Sequence, residues 1–332
     1  MFSPEHGFQG TADRPDLPDG LDSATGVPIY SLYRSSRPPK WAALDSLDVV
    51  LVDLQDIGAR YYTYISTTVM LMDEAARRGR AVVILDRPNP LGGAVVQGNV
   101  RDSVAPVDVF VGFLPLPMRH GLTLGEMARL ANDVLGIGAE LTVVPAAGWR
   151  REQYFDATGL PWVRPSPNMP SLESAMHYPG VCLFEGTNVS VGRGTADAFQ
   201  LVGAPWVDPA AVLRRLEATP QALAGVAVAA DSFTPRDPGD AKYHGVVVRG
   251  VRLRVTDRTR YDPTRTAVAL LAAIRAAHRD SLTFRDRGFD RLAAGSALRE
   301  AVVAGAAPER IWAAWEPGLT RFRRERTRYL LY

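Results

Sequence analysis

The sequence predicts an α/β fold, a parallel sheet with helices on its faces followed by a second part in which strand and helix mix. Two observations carry this. Apolar runs rich in valine, isoleucine and leucine at residues 47–54, 81–85 and 141–144 alternate with stretches of helical periodicity. Such alternation builds parallel sheets, because each crossover helix covers a sheet face. Proline and glycine then cluster after Trp149, where the pattern changes.

In chain order, Leu-Asp-Val-Val-Leu-Val-Asp-Leu at 47–54 reads as a buried strand. An amphipathic stretch over 67–78 reads as a helix stopped by Gly79. Ala-Val-Val-Ile-Leu at 81–85 is a second buried strand. Thr123-Leu-Gly-Glu126 has the spacing of a capping box and opens a helix running to Gly136. A further β-rich run follows at 141–144. Pro161, Pro165, Pro167, Pro170 and Pro179 then mark a crossing between domains, giving a division into residues 1–150 and 151–332. Beyond it, residues 246–255 alternate around Gly250 as a hairpin would, 266–277 form an Ala/Leu-rich helix, and the chain is helical again from Glu309. The basic cluster at 321–326 reads as a solvated helix face.

The composition narrows the function. A chain of 332 residues with 46% hydrophobic and 22% charged residues has enough apolar material for one large core or two medium ones. A net charge of +2 with mixed signs provides no stripe for a nucleic-acid backbone. No apolar run approaches the roughly 20 residues of a membrane-spanning helix. Cys182, the single cysteine, sits between valine and leucine and reads as a buried small hydrophobe. The five histidines are scattered, with no HExxH pair, so no metal is expected. GxGxxG and the phosphate loop are both absent, leaving a sheet of Rossmann type without its cofactor fingerprint, and no cofactor is expected.

In open α/β sheets ligands gather where the strands end at their carboxyl side. Glu5 and His6 follow a short apolar start, Asp53 and Asp56 close the next strand, and Asp86 closes the one after, so three strand ends are expected to deliver carboxylates to one rim. Adjacent Glu5 and His6 suit proton transfer, although a lone Glu-His pair is more often a polar loop. Glycine-rich residues 184–195 combine Glu185, Asn188, two hydroxyl types and Arg193. Glycines let a ligand approach the backbone, and a guanidinium matches a carboxylate bidentately. Glu185 and Arg193 either face a ligand or pair with each other. Arg60, Tyr62 and their tyrosine neighbours, and His120 ahead of the capped helix, suit a sugar cleft or a half-buried core equally.

Together these segments resemble a known family. Its motifs stand here as Phe-Ser-Pro-Glu-His-Gly at 2–7, Val-Asp-Leu-Gln-Asp-Ile-Gly-Ala-Arg-Tyr-Tyr-Thr-Tyr-Ile at 52–65, and Leu-Asp-Arg-Pro-Asn-Pro-Leu-Gly-Gly at 85–93. Pro-Met-Arg-His-Gly at 117–121, Ser-Pro-Asn-Met-Pro at 166–170, Tyr-Pro-Gly-Val-Cys-Leu-Phe-Glu-Gly-Thr-Asn at 178–188 and Tyr-Leu-Leu-Tyr at 329–332 complete them. The chain is similar to the exo-β-N-acetylmuramidases of peptidoglycan turnover (glycoside hydrolase family 171).

The resemblance implies a Rossmann-like, doubly wound N-terminal domain, a smaller mixed α+β C-terminal domain and an active-site cleft between them. The expected reaction is hydrolysis of a terminal, non-reducing β-linked N-acetylmuramic acid from peptidoglycan fragments. Glu5 and Glu185 are the expected catalytic carboxylates, in an order that the sequence leaves open. His6, Asp56, Arg60, Tyr62, His120, Asn168, Asn188 and Arg193 are the expected substrate-binding residues, with Arg193 suited to the lactyl carboxylate. Retaining, inverting and substrate-assisted routes all remain open at this point. Family members usually carry a strand and helix, often after an export signal, ahead of Ser-Pro-Glu-His-Gly. That segment starts here at residue 3, so an unpaired sheet edge is expected. The competing reading is a non-catalytic protein that binds muropeptides or another sugar acid, which has little use for two carboxylates in one crevice.

Overall fold

The computed structural model describes residues 1–14, 16–33, 39–104 and 110–332. Its central feature is a parallel three-stranded sheet with Ala81–Leu85 in the middle, Val49–Val52 on one side and Leu141–Val144 on the other. These strands lie where the apolar runs predict. Helices Tyr64–Arg77 and Leu124–Val134 make the crossovers and touch each other. Val50, Val52, Val82 and Ile84 are buried in one cluster with Ile65, Val69 and Met72 of the first helix and Met127 and Ala131 of the second. The capping box forms as its spacing predicts: Thr123 Oγ1 accepts from the Glu126 backbone N–H, and Glu126 Oε2 accepts from that of Thr123.

The first helix begins earlier than its amphipathic stretch, at Tyr64. The Tyr64 hydroxyl donates to the Pro165 carbonyl at 2.6 Å, a tertiary contact that periodicity does not reveal. Alternate strand residues on the second sheet face, Val49, Leu51, Leu85 and Val144, are exposed. Val49–Val52 is an edge strand among the described residues, beside an apolar groove of about 890 Å³.

Three expectations need correction. The start of the chain, Phe2–Ser3, does not join the parallel sheet; it pairs with Pro28–Ser31 in a small sheet that also holds Gly20–Leu21. Glu5 therefore leaves a different sheet from Asp53 and Asp86. Residues after all three strands, Pro4, Asp53 and Arg87, line the groove beside Val49–Val52, but the carboxylates of Glu5 and Asp86 do not. Asp86 is occupied in the interior, accepting from Thr123 Oγ1, the Gly125 N–H and the Tyr332 hydroxyl.

Gly250 marks no turn. Val248–Val255 runs straight through it as the central strand of an antiparallel sheet, between Val226–Phe233 and Leu201–Ala204. The glycine is needed for close approach, since a Cβ there would lie 2.1 Å from the Val202 carbonyl oxygen. The third correction concerns the basic cluster. Arg321, Arg323 and Arg324 are exposed, but Arg326 is buried and donates to the carbonyls of Gly93, Ala94 and Gly121. Burial depresses its pKa to about 10.

The antiparallel sheet and the helices Leu172–Val181, Pro209–Leu216 and Pro263–Ala277 share a second large core, which also takes in Ile57, Tyr61 and Tyr62. Leu172–Val181 crosses Pro263–Ala277 so closely that a Cβ on Gly180 would fall 1.9 Å from the Pro263 carbonyl oxygen. Backbone cannot move aside as a flexible side chain can. Gly180→Ala is expected to cost roughly 3 kcal/mol, read as a lower urea midpoint with unchanged slope. A midpoint equal to wild type would show that the crossing has slack.

Candidate active site

The site is assembled from four loops. In the first, Glu5 and His6 follow the strand Phe2–Ser3 in a tight turn closed by Gly7 N–H donating to the Pro4 carbonyl. His6 (φ 72°) and Gly7 (φ 79°) are both left-handed, and the His6 Nδ1–H donates to the Ala12 carbonyl at 2.8 Å. This ring pins the loop that carries Asp13. Glu5 accepts from Thr63 Oγ1 and from the Tyr33 hydroxyl, so its nearest partners are neutral. Burial, then the charge of Glu5, pushes the Tyr33 phenol far up, which keeps it a donor.

The second loop brings Tyr61, Tyr62 and Thr63 just ahead of the first helix. The Tyr62 ring stands edge-on to Tyr64 (5.0 Å between centroids) and Tyr178 (6.0 Å). The third is the proline-rich stretch with Ser166 and Asn168. The fourth follows Leu172–Val181, whose end tightens into the 3₁₀ turn Cys182–Gly186. Gly186 permits this turn to lie on the backbone of Phe289, where a Cβ would sit 2.5 Å from its Cα.

On that turn, Glu185 Oε1 lies 2.7 Å from Arg193 Nε, and Oε2 accepts from Cys182 Sγ at 3.1 Å. Arg193 Nη1 lies a looser 3.6 Å from Asp13 Oδ1, whose other oxygen accepts from Asn168 Nδ2 at 2.8 Å. Asn168, Asp13, Arg193, Glu185 and Cys182 thus form one polar chain. Burial works against the Arg193 charge, but the carboxylates of Glu185 and Asp13 outweigh it and hold its pKa above the ordinary value. Burial, reinforced by Glu185, pushes the Cys182 thiol well up, so it is a proton donor to Glu185 and no nucleophile.

These loops enclose a pocket of about 150 Å³ lined by Glu5, His6, Tyr62, Asn168, Glu185 and Arg193, along with Cys182 and Tyr178. The groove beside Val49–Val52 is larger, but its lining is mostly apolar and does not include Glu185 or Arg193. The small pocket is where two carboxylates, an imidazole and a guanidinium converge.

Comparison with known proteins fixes the relationship. The model described as exo-beta-N-acetylmuramidase NamZ, N-terminal, matches residues 1–173, and its C-terminal counterpart matches residues 176–332. The chain belongs to the NamZ exo-β-N-acetylmuramidase family. It is 39% identical over 334 residues to the peptidoglycan beta-N-acetylmuramidase NamZ of Bacillus subtilis (strain 168), covering 100% of this chain and 79% of the relative. Two crystal structures of DUF1343 family proteins from Bacteroides fragilis NCTC 9343 are also similar. One has a TM-score of 0.88 at 31% identity. The other has 0.78 at 33%. Each match covers 100% of this chain and 85% of the solved one.

Within this NamZ-family chain, four of the expected binding residues do not line the pocket. Arg60 is buried, and its guanidinium donates to the carbonyls of Asn99, Leu116 and Leu292 and to Asn99 Oδ1. Burial lowers its pKa to about 10. It is a strut joining the region around Asn99 to the helix Asp286–Leu292. Asn188 is likewise committed, with Nδ2 donating to the Ser281 carbonyl and Oδ1 accepting from the Thr283 N–H. Asp56 Oδ2 accepts from the Gly58 N–H at 2.7 Å and lies 3.5 Å from His120 Nε2. His120 Nδ1 accepts from the Leu122 N–H, which leaves the ring proton on Nε2, facing Asp56. Both are buried outside the pocket lining.

Sequence reasoning missed Asp13, Tyr33, Thr63 and Lys242. Asp13 carries no local pattern, because it reaches the site from a loop distant in sequence from its partners, and Thr63 stands inside the 52–65 motif but its neighbour Tyr62 drew the attention. Lys242 did leave a signal. It and Lys40 are the two lysines of a chain whose Lys+Arg total is 38.

Proposed function

We propose that the pocket hydrolyses the bond of a terminal, non-reducing N-acetylmuramic acid in peptidoglycan fragments. Glu5 serves as the proton donor to the leaving oxygen and Glu185 as the carboxylate facing the anomeric carbon. The observation that carries this reading is the contrast between two carboxylates lining one pocket. Glu5 is surrounded by the hydroxyls of Thr63 and Tyr33, whereas Glu185 is ion-paired with Arg193. Two carboxyl groups in different electrostatic settings are what a glycosidase needs to divide acid and anionic roles. Family membership supports the same reaction, and the small pocket suits a chain end better than the middle of a polymer.

Arg193 is half committed. Its Nε side is ion-paired with Glu185, and the 3.6 Å spacing from Asp13 leaves the Nη side for a substrate carboxylate, which fits the lactyl group. Tyr62 and Asn168 line the wall beside it and would meet the acetamido group or ring hydroxyls, while His6 holds the loop of Glu5. Asp56, Arg60, His120 and Asn188 act behind this layer, as supports. The same reading takes the parallel sheet as part of a Rossmann-like, doubly wound domain (residues 1–150). The remainder (151–332) forms the mixed domain, and the pocket is the cleft between them.

The test is release of phenol from a chromogenic β-N-acetylmuramide and from the matching β-N-acetylglucosaminide, which lacks the lactyl carboxylate. Turnover of the muramide at least tenfold faster is expected. A folded protein that binds N-acetylmuramic acid but hydrolyses neither compound would favour the binding-protein reading instead.

A further inference from the structure

The turn that carries Glu185 rests on a buried ammonium. Lys242 Nζ donates to the carbonyls of Val189 at 2.9 Å, Phe184 at 3.1 Å and Glu185 at 3.3 Å, which uses its three protons. The side chain is 5% exposed, and Asp240 Oδ2 at 3.7 Å is its counter-charge. The end of a helical turn leaves carbonyls without partners, and a cation at that end satisfies them. Here the cation comes from a loop far along the chain, between the strands Val226–Phe233 and Val248–Val255.

That loop is bent to deliver it. Ala241 (φ 56°) and Tyr243 (φ 58°), on either side of Lys242, are both left-handed, and so is Asp237 (φ 43°). Non-glycine residues persist in this conformation where the surroundings over-determine it, and such places cluster at functional sites. The loop is tied to the Glu185–Arg193 segment twice more: the Arg236 N–H donates to the Gly194 carbonyl at 2.9 Å, and the Tyr243 hydroxyl donates to the Asn188 carbonyl at 2.6 Å.

We propose that Lys242 is a positioning residue: its ammonium fixes the backbone of residues 184–189 so that the Glu185 carboxylate is held toward the anomeric carbon in the geometry set by Arg193. The inference rests on the reading of Glu185 given above. Lys242 touches no substrate. Its contribution reaches the reaction through the direction of the carboxylate, and a carboxylate misdirected by about an ångström loses much of its effect in the transition state while binding is little changed.

The test compares three variants with wild type on the chromogenic muramide, with folding checked by circular dichroism and thermal midpoint. Lys242→Met is expected to lower kcat at least tenfold with KM within threefold. Lys242→Arg keeps the charge beside Asp240 but cannot aim three protons from one nitrogen at converging carbonyls, and the same split is expected. His244→Ala removes a tie within the same loop, the Asp237 N–H donating to His244 Nδ1 at 2.9 Å, without touching residues 184–189, so its kcat should stay within threefold. Wild-type kcat in either folded Lys242 variant, or an equal loss of kcat in His244→Ala, overturns the proposal in favour of plain loop docking. A wild type that hydrolyses nothing overturns the reading of the site, and this role with it.

Discussion

Glu5→Gln is expected to abolish most of the hydrolysis of a natural N-acetylmuramic acid disaccharide, lowering kcat by about 10³-fold or more, and to spare a substrate with an activated phenol leaving group. The asymmetry follows from the proposed role. A sugar hydroxyl is a poor leaving group and needs a proton as the glycosidic bond breaks, a contribution worth about 10² to 10⁴ in rate. A nitrophenolate departs largely unaided, so removing the acid costs far less there. Glutamine keeps the size of the side chain and retains a carbonyl oxygen to accept from Thr63 Oγ1, so the turn at Glu5 should survive. Steady-state rates on the disaccharide and the nitrophenyl muramide, taken in parallel, provide the check. Equal losses on both substrates would show that Glu5 does not protonate the leaving oxygen.

Much of the fold is legible in the sequence because its elements are locally determined. The strands Ala81–Leu85 and Leu141–Val144 coincide with their apolar runs, and the Thr123–Glu126 capping box forms as written. Legibility fails where a distant backbone decides the outcome. Gly250 reads as a turn but serves close approach to Gly203 within a sheet whose partners come from elsewhere in the chain. Arg326 reads as one more solvated arginine, until three carbonyls from residues 93, 94 and 121 are found around it.

The candidate site divides along the same line. Motif-borne residues Glu5, His6, Tyr62, Asn168 and Glu185, and Arg193 of the glycine-rich loop, do gather in one pocket. Asp56, Arg60, His120 and Asn188 lie in equally distinctive motifs but hold the frame, because a motif marks residues the fold needs as well as those a ligand needs. Two readings were open for Glu185 and Arg193, ligand contact or mutual pairing. They pair and they also line the pocket, which makes the ion pair itself part of the proposed machinery.

That pairing sets the second large expectation. Glu185→Gln should lower kcat by about 10³-fold on the disaccharide and the nitrophenyl muramide alike, near 4 kcal/mol of transition-state stabilisation. A carboxylate at the anomeric carbon answers the positive charge that grows there, whatever the leaving group, so its loss cannot be rescued by a better phenol. The variant keeps the shape of the side chain and its acceptor for Cys182 Sγ but leaves Arg193 with the looser Asp13 and the more distant Asp240 as counter-charges. Part of any loss could therefore arise from a displaced guanidinium, and KM distinguishes the two causes. If Arg193 holds the lactyl carboxylate through its Nη side, removing the competing carboxylate of Glu185 should leave KM for the muramide unchanged or lower, while kcat falls. A KM raised tenfold or more together with a kcat near wild type would instead assign Glu185 to orienting Arg193, and the anionic role at the anomeric carbon would pass to another group, such as the substrate's own acetamide.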